Sequence, residues 1–509
     1  MKIFSAMQIR KWDEYTISKG SVSSIDLMER ASTACCKWLI GKNYGGRDFH
    51  IFCGKGNNGG DGLALARLLL ELKSKATVYI LDFGNSGTPD FQANLERLHL
   101  LTKDIHFLQS AEFFPQLPDE AVVVDAIIGT GLTKALGGTT AELAAHLNRL
   151  KREVIAIDMP TGLFADESSI GNIVVNASQT LSFQTPKLAF MLPENEPFCG
   201  EVHILDIGLS AGFEVDEPAS YEIVDGNAIR GIYQPRKKFS HKGNFGHAAM
   251  LTGSKGMIGA AVLSSLACLR TGVGKLTSYL PGCGYEILQN TVPEAMCRVT
   301  GEDHLLAVGN LDSYEAIGIG PGIGRAASNF TLLKDVFSKV KRPMLIDADA
   351  LNTIADNPEL LTLIPPLSIL TPHPKEFERL FGKVENNVAR LRLCCRMSAT
   401  YNIHIILKGH FSFISIPLTY QAEGPGLRGY FNPTGNPGMA KAGSGDVLSG
   451  ILTALLAQGY NPLQSAVLGT WLHGKAGDIA AELFAPETML AGDIIQCLSQ
   501  AFRELAVTG

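Results

Sequence analysis

Cysteine is scarce in this chain, with ten among 509 residues. Two of the pairs, Cys35/Cys36 and Cys394/Cys395, are sequence neighbours, which rarely bridge. The scarcity excludes a disulfide-stabilised scaffold and favours a reducing compartment, so we expect a cytoplasmic location. Neither CxxC nor HExxH occurs and the twelve histidines are scattered, which leaves a zinc site without support.

Long apolar runs are also missing. The run from Met257 to Leu269 lies between Lys255 and Arg270, and it falls short of the roughly 18 to 20 residues that a membrane-spanning helix needs. The N-terminal sequence MKIFSAMQIRKWDE becomes charged too early for a secretory signal. The 44 basic residues do not outnumber the 50 acidic ones, which argues against a surface for polyanions. We therefore expect neither a membrane nor a nucleic acid as a partner.

The chain does contain a regular alternation of short β-branched runs and helical patterns. A length of 509 residues predicts two to four compact units. From about residue 49 to 210, the runs HIFCG, ATVYILD, AVVVDAIIG and EVIAIDMP alternate with amphipathic helical segments. This order predicts an α/β unit with a mainly parallel sheet covered by helices.

A polar, acidic segment from Ala211 to Ser220 interrupts the alternation, and we interpret it as a linker. The pattern then resumes with the runs HAAMLTG, AIGIGPG, MLIDADA, LSILTPH and IHIILKG. Two helical patterns follow, over Gly445 to Ala457 and Ser465 to Leu483. These features predict a second α/β unit, and we place the two domains at residues 1–215 and 216–509.

The segment GKGNNGGDG, residues 54–62, connects a predicted strand to a predicted helix. Its glycines satisfy G-x-G-x-x-G, whose backbone amides can approach a phosphate, and Asp82 stands where a dinucleotide fold binds ribose. A tight turn before a capped helix explains the same pattern. Asn57, Asn58 and Asp61, however, crowd polar side chains into the turn, which indicates contacts to a ligand or an ion.

Two further aspartates close predicted strands of the first unit. Asp125 ends AVVVD and Asp158 ends VIAID. Carboxylates at the carboxyl ends of parallel strands face the ligand crevice of an open α/β sheet. Either residue alone could instead be a helix N-cap. Together with the glycine loop, they favour a binding site.

The second unit has its own glycine-rich turn, in NPTGNPGMAKAGSGDVLSG at residues 432–450. Gly443, Ser444 and Gly445 lead straight into an apolar helix, whose free amides can bind a phosphoryl group. Asp446 at the start of that helix is placed to accept a proton from an attacking hydroxyl, or else merely caps the helix. The motif lacks GxxxxGK[ST] and is not a P-loop.

Other polar groups follow predicted strands of the second unit. They lie in GIGPGIG at 318–324, DADALN at 347–352, TPHPKE at 371–376 and KGHFS at 408–412. His373, just past the run SILTP, is either a structural histidine or part of a pocket. Residues 416–432 form a long connection before the second glycine-rich turn.

These motifs together resemble the bifunctional NAD(P)H-hydrate repair enzymes over essentially the whole chain. In that family a Rossmann-like epimerase domain precedes a ribokinase-like, ADP-dependent dehydratase domain. GKGNNGGDG, GTGL at 129–132 and DMPTGL at 158–163 are similar to the epimerase motifs. HKGNFG, GSKGMIGAA, GPGIG, DADALN, LTPHPKE, LKG and NPTGNPGMAKAGSGD are similar to the dehydratase motifs. The connection at 416–432 is longer than the hairpin that is usual there.

The resemblance implies roles for individual residues of the first domain. It places the hydrated nucleotide against two loops and one aspartate: Asn57, Asn58, Gly59, Gly60 and Asp61; Gly129, Thr130, Gly131, Leu132, Thr133, Lys134 and Ala135; and Asp158. It implies a potassium ion bound by Asn58, Asp125 and Thr161. Asp158 would be the acid/base of epimerisation.

For the second domain, the resemblance implies two groups of binding residues and one catalytic base. Those for the hydrated substrate are Ala260, Gly322, His373 and Asp446. Those for the adenine nucleotide are Lys408, Gly409, His410, Phe411, Ser412 and Gly445. Asp446 would be the base, and Mg²⁺ would accompany ADP.

The resemblance implies that the first domain interconverts R and S hydrates of NADH and NADPH, called NADHX and NADPHX. The second domain would dehydrate the S form with ADP, giving AMP and phosphate. The expected partners are these small molecules, in a homo-oligomer. From the residues alone, a small-molecule kinase, a nicotinamide-dependent oxidoreductase and a non-catalytic binding scaffold stay open.

Overall fold

The computed structural model describes residues 1–20, 22–417 and 426–506 of the chain. They divide into two compact units, of which the first comprises residues 2–219 and 386–388. The second comprises residue 1, residues 220–385 and the chain from residue 389 onward. Each unit contains a mainly parallel sheet, which confirms the predicted α/β class.

The first unit has a seven-stranded, all-parallel sheet. From edge to edge, the strands are Ile105–Leu108, Lys75–Leu81, Asp48–Cys53, Val122–Ala126, Glu153–Ile157, Gln179–Phe183 and Glu201–Leu205. The longer helices are Ala6–Lys19, Ser24–Gly41, Asn57–Glu71, Pro89–His99 and Gly138–Leu150. All four strands predicted from the apolar runs are present.

The strand Val122–Ala126 shows why these runs are apolar without alternation. Val122 and Val124 enter one buried cluster and Val123 enters another, because both faces of the sheet are covered. Asp125 interrupts this apolar strand and is fully buried. The strand order also changes direction between Asp48–Cys53 and Val122–Ala126, and the carboxyl ends on either side of such a point form a ligand crevice.

The predicted linker at Ala211 to Ser220 is wrong for most of its length. Residues Ala211–Asp216 form a helix, and Phe213 is buried in a cluster with Phe4 and Trp12. Ala219 belongs to the same cluster, so the first unit extends to residue 219 rather than 215. The segment looked like a linker because most of its residues are polar, but Phe213 packs into the core and holds the segment against the first unit.

The sheet of the second unit is parallel through its centre and antiparallel on one side. Its strands run in the order Tyr221–Ile223, Gly429–Asn432, Ser412–Ser415, His404–Leu407, Ile369–Leu370, Leu345–Ile346, Ala316–Ile319, His247–Leu251, Lys275–Leu280 and Met296–Val299. The five predicted strands are all present. Of the long connection at 416–432, residues 418–425 lie outside the described residues.

Helices surround this second sheet. They are Gly226–Ile232, Ile258–Arg270, Tyr285–Thr291, Ser328–Lys339, Ala348–Asp356, Pro374–Phe381, Asn387–Tyr401, Ser444–Ala457, Pro462–Leu483 and Ala491–Ala506. Ser444–Ala457 and Pro462–Leu483 confirm the two helices predicted near the C-terminus. Ser444–Ala457 is buried along most of its length, which explains its continuous apolar sequence.

All ten cysteines carry free thiols. Within the described ranges, no helix combines the length and the apolar character that crossing a bilayer would require.

Candidate active sites

In the first glycine loop, the backbone at Gly54 and Gly59 lies in close contact with other backbone atoms. A Cβ on Gly54 would lie 2.2 Å from the Ile127 carbonyl oxygen, and one on Gly59 would lie 1.7 Å from the Gly54 carbonyl oxygen. The helix Asn57–Glu71 begins directly after Gly56, which has no side chain to cap the first-turn amides. These amides therefore remain available to a ligand at the edge of the crevice.

The ribose-binding interpretation of Asp82 is not supported by its contacts. Its carboxylate forms an ion pair with Lys55 and accepts a hydrogen bond from the Gly84 amide at 3.0 Å. Asp82 therefore organises the loop after its strand. Without a ribose-binding Asp82, nothing beyond the glycines themselves supports the interpretation of G-x-G-x-x-G as a dinucleotide-binding motif.

Asp125 and Thr161 meet as predicted. The Thr161 hydroxyl donates to Asp125 Oδ1 at 2.7 Å, and its amide donates to Oδ2 at 2.8 Å. Burial raises the pKa of Asp125 to about 6, although the hydrogen bonds from Thr161 oppose the rise. Among the described residues, no Lys, Arg or His forms an ion pair with this carboxylate, and its partners are neutral hydrogen-bond donors.

Asn58 lies beside the same strand ends. With its side-chain amide oriented to satisfy both neighbours, Asn58 donates to the Ile157 carbonyl at 3.2 Å and accepts from the Gly129 amide at 3.3 Å. Asn58 thus links the first glycine loop to the GTGL segment and to the strand that precedes Asp158.

Asp158 has a left-handed backbone, with φ of 64°, which is rare for a residue other than glycine. Its Oδ1 lies 3.0 Å from Lys187 Nζ, and its Oδ2 accepts from the Thr130 amide at 2.9 Å. Burial alone would raise the pKa of Asp158, but the charge of Lys187 and these hydrogen bonds hold it below its ordinary value. Asp158 is therefore an oriented carboxylate, as a proton acceptor requires.

Two other carboxyl groups face Asp158. Burial and the charge of Asp158 raise the pKa of Asp13 to about 7. Burial, followed by the charges of Asp158, Asp13 and Asp90, raises the pKa of Asp61 well above its usual range. The cluster therefore combines an ionised carboxylate with carboxyl groups that hold protons near neutral pH.

The remaining predicted residues of the first site differ in exposure. Gly59 and Gly60 are buried, and a Cβ on Gly60 would lie 2.6 Å from Met28 Sδ, so packing explains these two glycines. Leu132 is half-buried. The residues Asn57, Gly131, Thr133, Lys134 and Ala135 are exposed.

Sequence reasoning missed Asp13 and Lys187. Asp13 lies on the helix Ala6–Lys19, far from every glycine motif in sequence. Lys187 follows the strand Gln179–Phe183 and is completely buried. A lone lysine after a strand gives no sequence signal of burial, so only the folded structure reveals this group.

In the second unit, Asp446 opens the helix Ser444–Ala457 as predicted. Gly443 precedes it with φ of 93°, a left-handed conformation that favours glycine. Burial and the charge of Asp347 raise the pKa of Asp446 to about 7, while Lys408 opposes the rise. A carboxyl group with this pKa suits a general base at physiological pH.

Asp347, the first residue of DADALN, lies next to this turn. Its Oδ1 accepts from Lys408 Nζ at 3.0 Å and its Oδ2 accepts from the Ser449 hydroxyl at 2.6 Å. Burial raises the pKa of Asp347, but the Lys408 charge and the Ser449 hydrogen bond lower it further than burial raises it. A Cβ on Gly445 would lie 3.5 Å from Lys408 Nζ. Lys408 is thus both at the predicted nucleotide site and anchored to Asp347.

His373 has a structural role. Its Nδ1 accepts from the Lys375 and Glu376 amides at 3.1 and 3.2 Å, which caps the helix Pro374–Phe381. Glu376 accepts in return from the His373 amide at 2.9 Å. The side chain of His373 is about half exposed, at 49%, and its Nε2 lies 3.5 Å from Glu376 Oε1.

Ala260 and Gly322 are neighbours, as the predicted substrate pocket requires. Gly322 has φ of 65°, and a Cβ on it would lie 2.8 Å from the Ala260 Cβ. Lys408 to Phe411 connect two antiparallel strands, and the hydroxyl of Ser412, where the second strand begins, donates to the Gly409 carbonyl at 3.1 Å. His410 is exposed and Phe411 is half-buried.

A half-buried histidine near the second turn also escaped sequence analysis. His473, on the helix Pro462–Leu483, has its Nε2 3.2 Å from the Ser444 hydroxyl oxygen. Burial lowers the pKa of His473 to about 4, so the imidazole is neutral at physiological pH. It lies in a long apolar run that predicted only a core helix.

Two α/β units, each with a glycine-rich turn before a helix and an aspartate–lysine pair beside it, define a two-domain nucleotide-processing enzyme. Residues 24–189 match the family model described as YjeF-related protein N-terminus, and residues 248–500 match the one described as NAD(P)H-hydrate dehydratase. The chain belongs to the family of bifunctional NAD(P)H-hydrate repair enzymes, as the motifs indicated.

Individual relatives cover almost the whole chain. A bifunctional NAD(P)H-hydrate repair enzyme of Moorella thermoacetica is 33% identical over 99% of this chain and 97% of its own. One from Coxiella burnetii is 32% identical over 97% of each. A crystal structure of an ADP/ATP-dependent NAD(P)H-hydrate dehydratase from Bacillus subtilis, co-crystallised with ATP/Mg²⁺, is 28% identical, covers 56% of this chain and 98% of its own, and has a TM-score of 0.48.

Proposed function

We propose that this protein repairs hydrated nicotinamide nucleotides. Its first unit interconverts the R and S forms of NADHX and NADPHX, and its second unit dehydrates the S form to NADH or NADPH while ADP is converted to AMP and phosphate. Membership of the family supports both activities. The observation that carries the proposal is Asp446, a carboxyl group of pKa about 7 at the mouth of a glycine-lined helix N-terminus.

The dehydration follows from the chemistry of the C6 hydroxyl. Hydroxide is a poor leaving group at neutral pH, whereas phosphate is a good one. Asp446 accepts the hydroxyl proton while the oxygen attacks the terminal phosphorus of ADP, and AMP departs. The nitrogen lone pair of the ring then expels phosphate from C6, and loss of a proton from C5 to water or to the departing phosphate forms the C5–C6 double bond of the reduced nicotinamide. The amides at Gly443 to Gly445 stabilise the phosphoryl charge in transfer.

Epimerisation prevents accumulation of the epimer that the second unit cannot dehydrate. Hydration produces both C6 epimers, and a pocket shaped for one of them leaves the other unused. Asp158, held as a carboxylate by Lys187, would exchange the proton of the C6 hydroxyl in the first unit.

The residues of the first unit fit a potassium ion. Asp125 is a fully buried carboxylate whose partners are the neutral Thr161 and Ile127 groups. Asn58 would add its amide oxygen as a further ligand. Hard oxygen ligands of this kind suit alkali cations. The ion would neutralise Asp125 and thereby fix the strand ends beside Asp158.

Magnesium fits the second unit less completely. The described residues contain no group of three or more acidic, His or Cys side chains arranged to hold a metal. Mg²⁺ is commonly bound by one or two carboxylates and the phosphates of its nucleotide. Glu376 Oε2, which lies 4.0 Å from Lys408 Nζ, is a carboxylate at the proposed nucleotide site. Mg²⁺ would therefore enter with ADP.

The deciding experiment uses acid-hydrated NADH and purified full-length protein. With ADP and Mg²⁺, absorbance at the reduced-nicotinamide band should return and AMP should appear in equal amount; omission of ADP should prevent both. A stable phosphorylated hydrate would indicate a kinase instead. A change in absorbance that required a second redox substrate would indicate an oxidoreductase.

Two further parts of the proposal concern the setting of the enzyme. Ten free thiols suit a reducing compartment, and we assign the protein to the cytoplasm. We expect a homo-oligomer whose partners are the small molecules named above, and sedimentation of the full chain measures its state.

A further inference from the structure

Lys187 is an ammonium group with no exposed surface. Its Nζ donates to the Ser182 hydroxyl at 2.7 Å and to the Phe183 carbonyl at 3.0 Å, and its third partner is Asp158 Oδ1 at 3.0 Å. A lysine has three N–H donors, so this ammonium is fully satisfied and cannot rotate toward another partner. Burial of such a charge is costly unless its partners are fixed. The hydrogen bonds to Ser182 and Phe183, at the end of the strand Gln179–Phe183, therefore fix the ammonium group of Lys187 in contact with Asp158.

The same crevice has too few positive charges for its acidic groups. The helix Ala6–Lys19 contributes Asp13 with Glu14 beside it, and the helix Asn57–Glu71 contributes Asp61, which is also near Asp90. Asp158 alone among these carboxyl groups has Lys187 in contact. One ammonium group can compensate one nearby carboxylate, and like charges then favour protonation of the others.

We propose that Lys187 is a positioning residue of the epimerisation, whose fixed ammonium group keeps Asp158 an oriented carboxylate. The proposal rests on the function proposed above. Inversion at a carbon that carries both a hydroxyl and a ring nitrogen needs a base and an acid at the same time, and carboxyl groups with opposite protonation provide them.

The corresponding step balances without a redox partner. Asp158 takes the C6 hydroxyl proton as the C6–N1 bond breaks, the electron pair passes to N1, and a protonated carboxyl group of the same cluster donates its proton to N1. C6 becomes an aldehyde carbon. Rotation about the C5–C6 bond and closure onto the opposite face, with both protons returned, gives the other epimer.

The test is Lys187→Met in the full-length chain, which removes the charge and keeps the length of the side chain. Without its partner, a buried carboxylate titrates some units higher, so we expect epimerisation kcat to fall about 10²-fold at pH 7. The loss should shrink steadily as the pH is raised to 9, and KM should change by less than about threefold because Lys187 does not touch the substrate. The second unit serves as internal control, since dehydration of the S form should be unchanged.

A matched control and a second variant complete the design. Arg67→Met removes another part-buried charge of the first unit, one paired with Glu29 and Glu71, and should leave the epimerisation profile unchanged. If Lys187→Met does not fold, Ser182→Ala removes only the hydroxyl that fixes the ammonium, and it should cause a several-fold fall in kcat with the same upward displacement of the acidic limb.

Each result has one meaning. An equal loss at every pH would show that Lys187 is merely structural, and an unchanged profile in Lys187→Met, or in Ser182→Ala where that variant is used, would refute its role. Wild-type protein that does not interconvert the epimers would refute the proposed function itself, and with it this inference.

Discussion

Replacement of Asp446 by Asn tests the assignment of the dehydration base. The amide has the same shape as the protonated carboxyl group but cannot accept the C6 hydroxyl proton. Loss of a general base costs about 10² to 10⁴ in rate, so kcat for dehydration should fall by that factor. Epimerisation should be unchanged, because Asp158 and its partners lie in the other unit.

The same variant should be more stable than the wild type at high pH. The pKa of Asp446 lies at about 7 in the folded chain, above its ordinary value of 3.8, because burial and Asp347 disfavour the charge. The folded state therefore binds a proton more tightly than the unfolded state, and stability falls as the pH rises from 3.8 to about 7. At about 1.4 kcal/mol per pH unit, the loss is at most about 4 to 5 kcal/mol, and it is less to the extent that water reaches the group. The amide of the Asp446→Asn variant has no such proton to lose and avoids this loss.

The assay combines turnover with thermal unfolding of full-length protein at pH 5 and pH 8. ADP identifies the transition of the second unit, since a bound ligand raises the unfolding temperature of the unit that binds it. The variant should unfold several degrees higher than the wild type at pH 8, and the difference at pH 5 should be only about a third as large, because most of the loss falls between pH 5 and about 7. Near-normal turnover by the folded variant would reduce Asp446 to a helix cap, and equal stability at both pH values would refute the buried-carboxyl argument.

Two further predictions concern the first unit. Asp125→Ala should impair epimerisation and remove its dependence on potassium while dehydration of the S form continues; potassium dependence that survives in the variant would place the ion elsewhere. Gly129→Ala should lower epimerisation roughly 10²-fold, because its Cβ would lie 2.6 Å from Asp158 Oδ2 and displace the carboxylate. Gly137→Ala, whose Cβ meets nothing within 4 Å, is the matched control and should be fully active.

The strands and their α/β order could be predicted from the sequence, because hydrophobic periodicity is a local signal. Strands buried on both faces, such as Val122–Ala126, read as continuous apolar runs, and every strand predicted in this way is present. The failure at Ala211 to Ser220 has a tertiary cause. Phe213 packs against Phe4 and Trp12, some two hundred residues away in sequence, and a pattern of polar neighbours cannot report that contact.

The sites were predictable where the backbone itself has a special shape. Glycines at Gly54 and Gly443 reveal a close approach and a left-handed turn, so their motifs located both crevices. The groups that set protonation were not predictable in the same way. Asp13 and Lys187 reach Asp158 from a helix and a loop distant in sequence, and their effect depends on burial, which has no local sequence signal.

Each of the two sites contains an aspartate in contact with a lysine, but the aspartate proposed as the base is the lysine-bound one in the first unit and its neighbour in the second. Lys187 lies 3.0 Å from Asp158, and Lys408 lies 3.0 Å from Asp347. In each unit, the aspartate in contact with lysine has a lowered pKa, because the lysine charge and the hydrogen bonds together outweigh the effect of burial. The proposed base of the first unit is that ionised partner, whereas the proposed base of the second is the neighbour, Asp446.

This difference predicts separate pH profiles for the two activities of one chain. Asp158 is ionised well below neutral pH, while Asp446 becomes ionised only as the pH rises through about 7. Between pH 7 and pH 5.5, dehydration should therefore fall toward tenfold per pH unit, and epimerisation should fall much less. Following both epimers and the reduced nucleotide by chromatography on the same samples measures the two rates together. Parallel profiles would mean that the lysine–aspartate pairs do not decide which carboxyl group carries the proton.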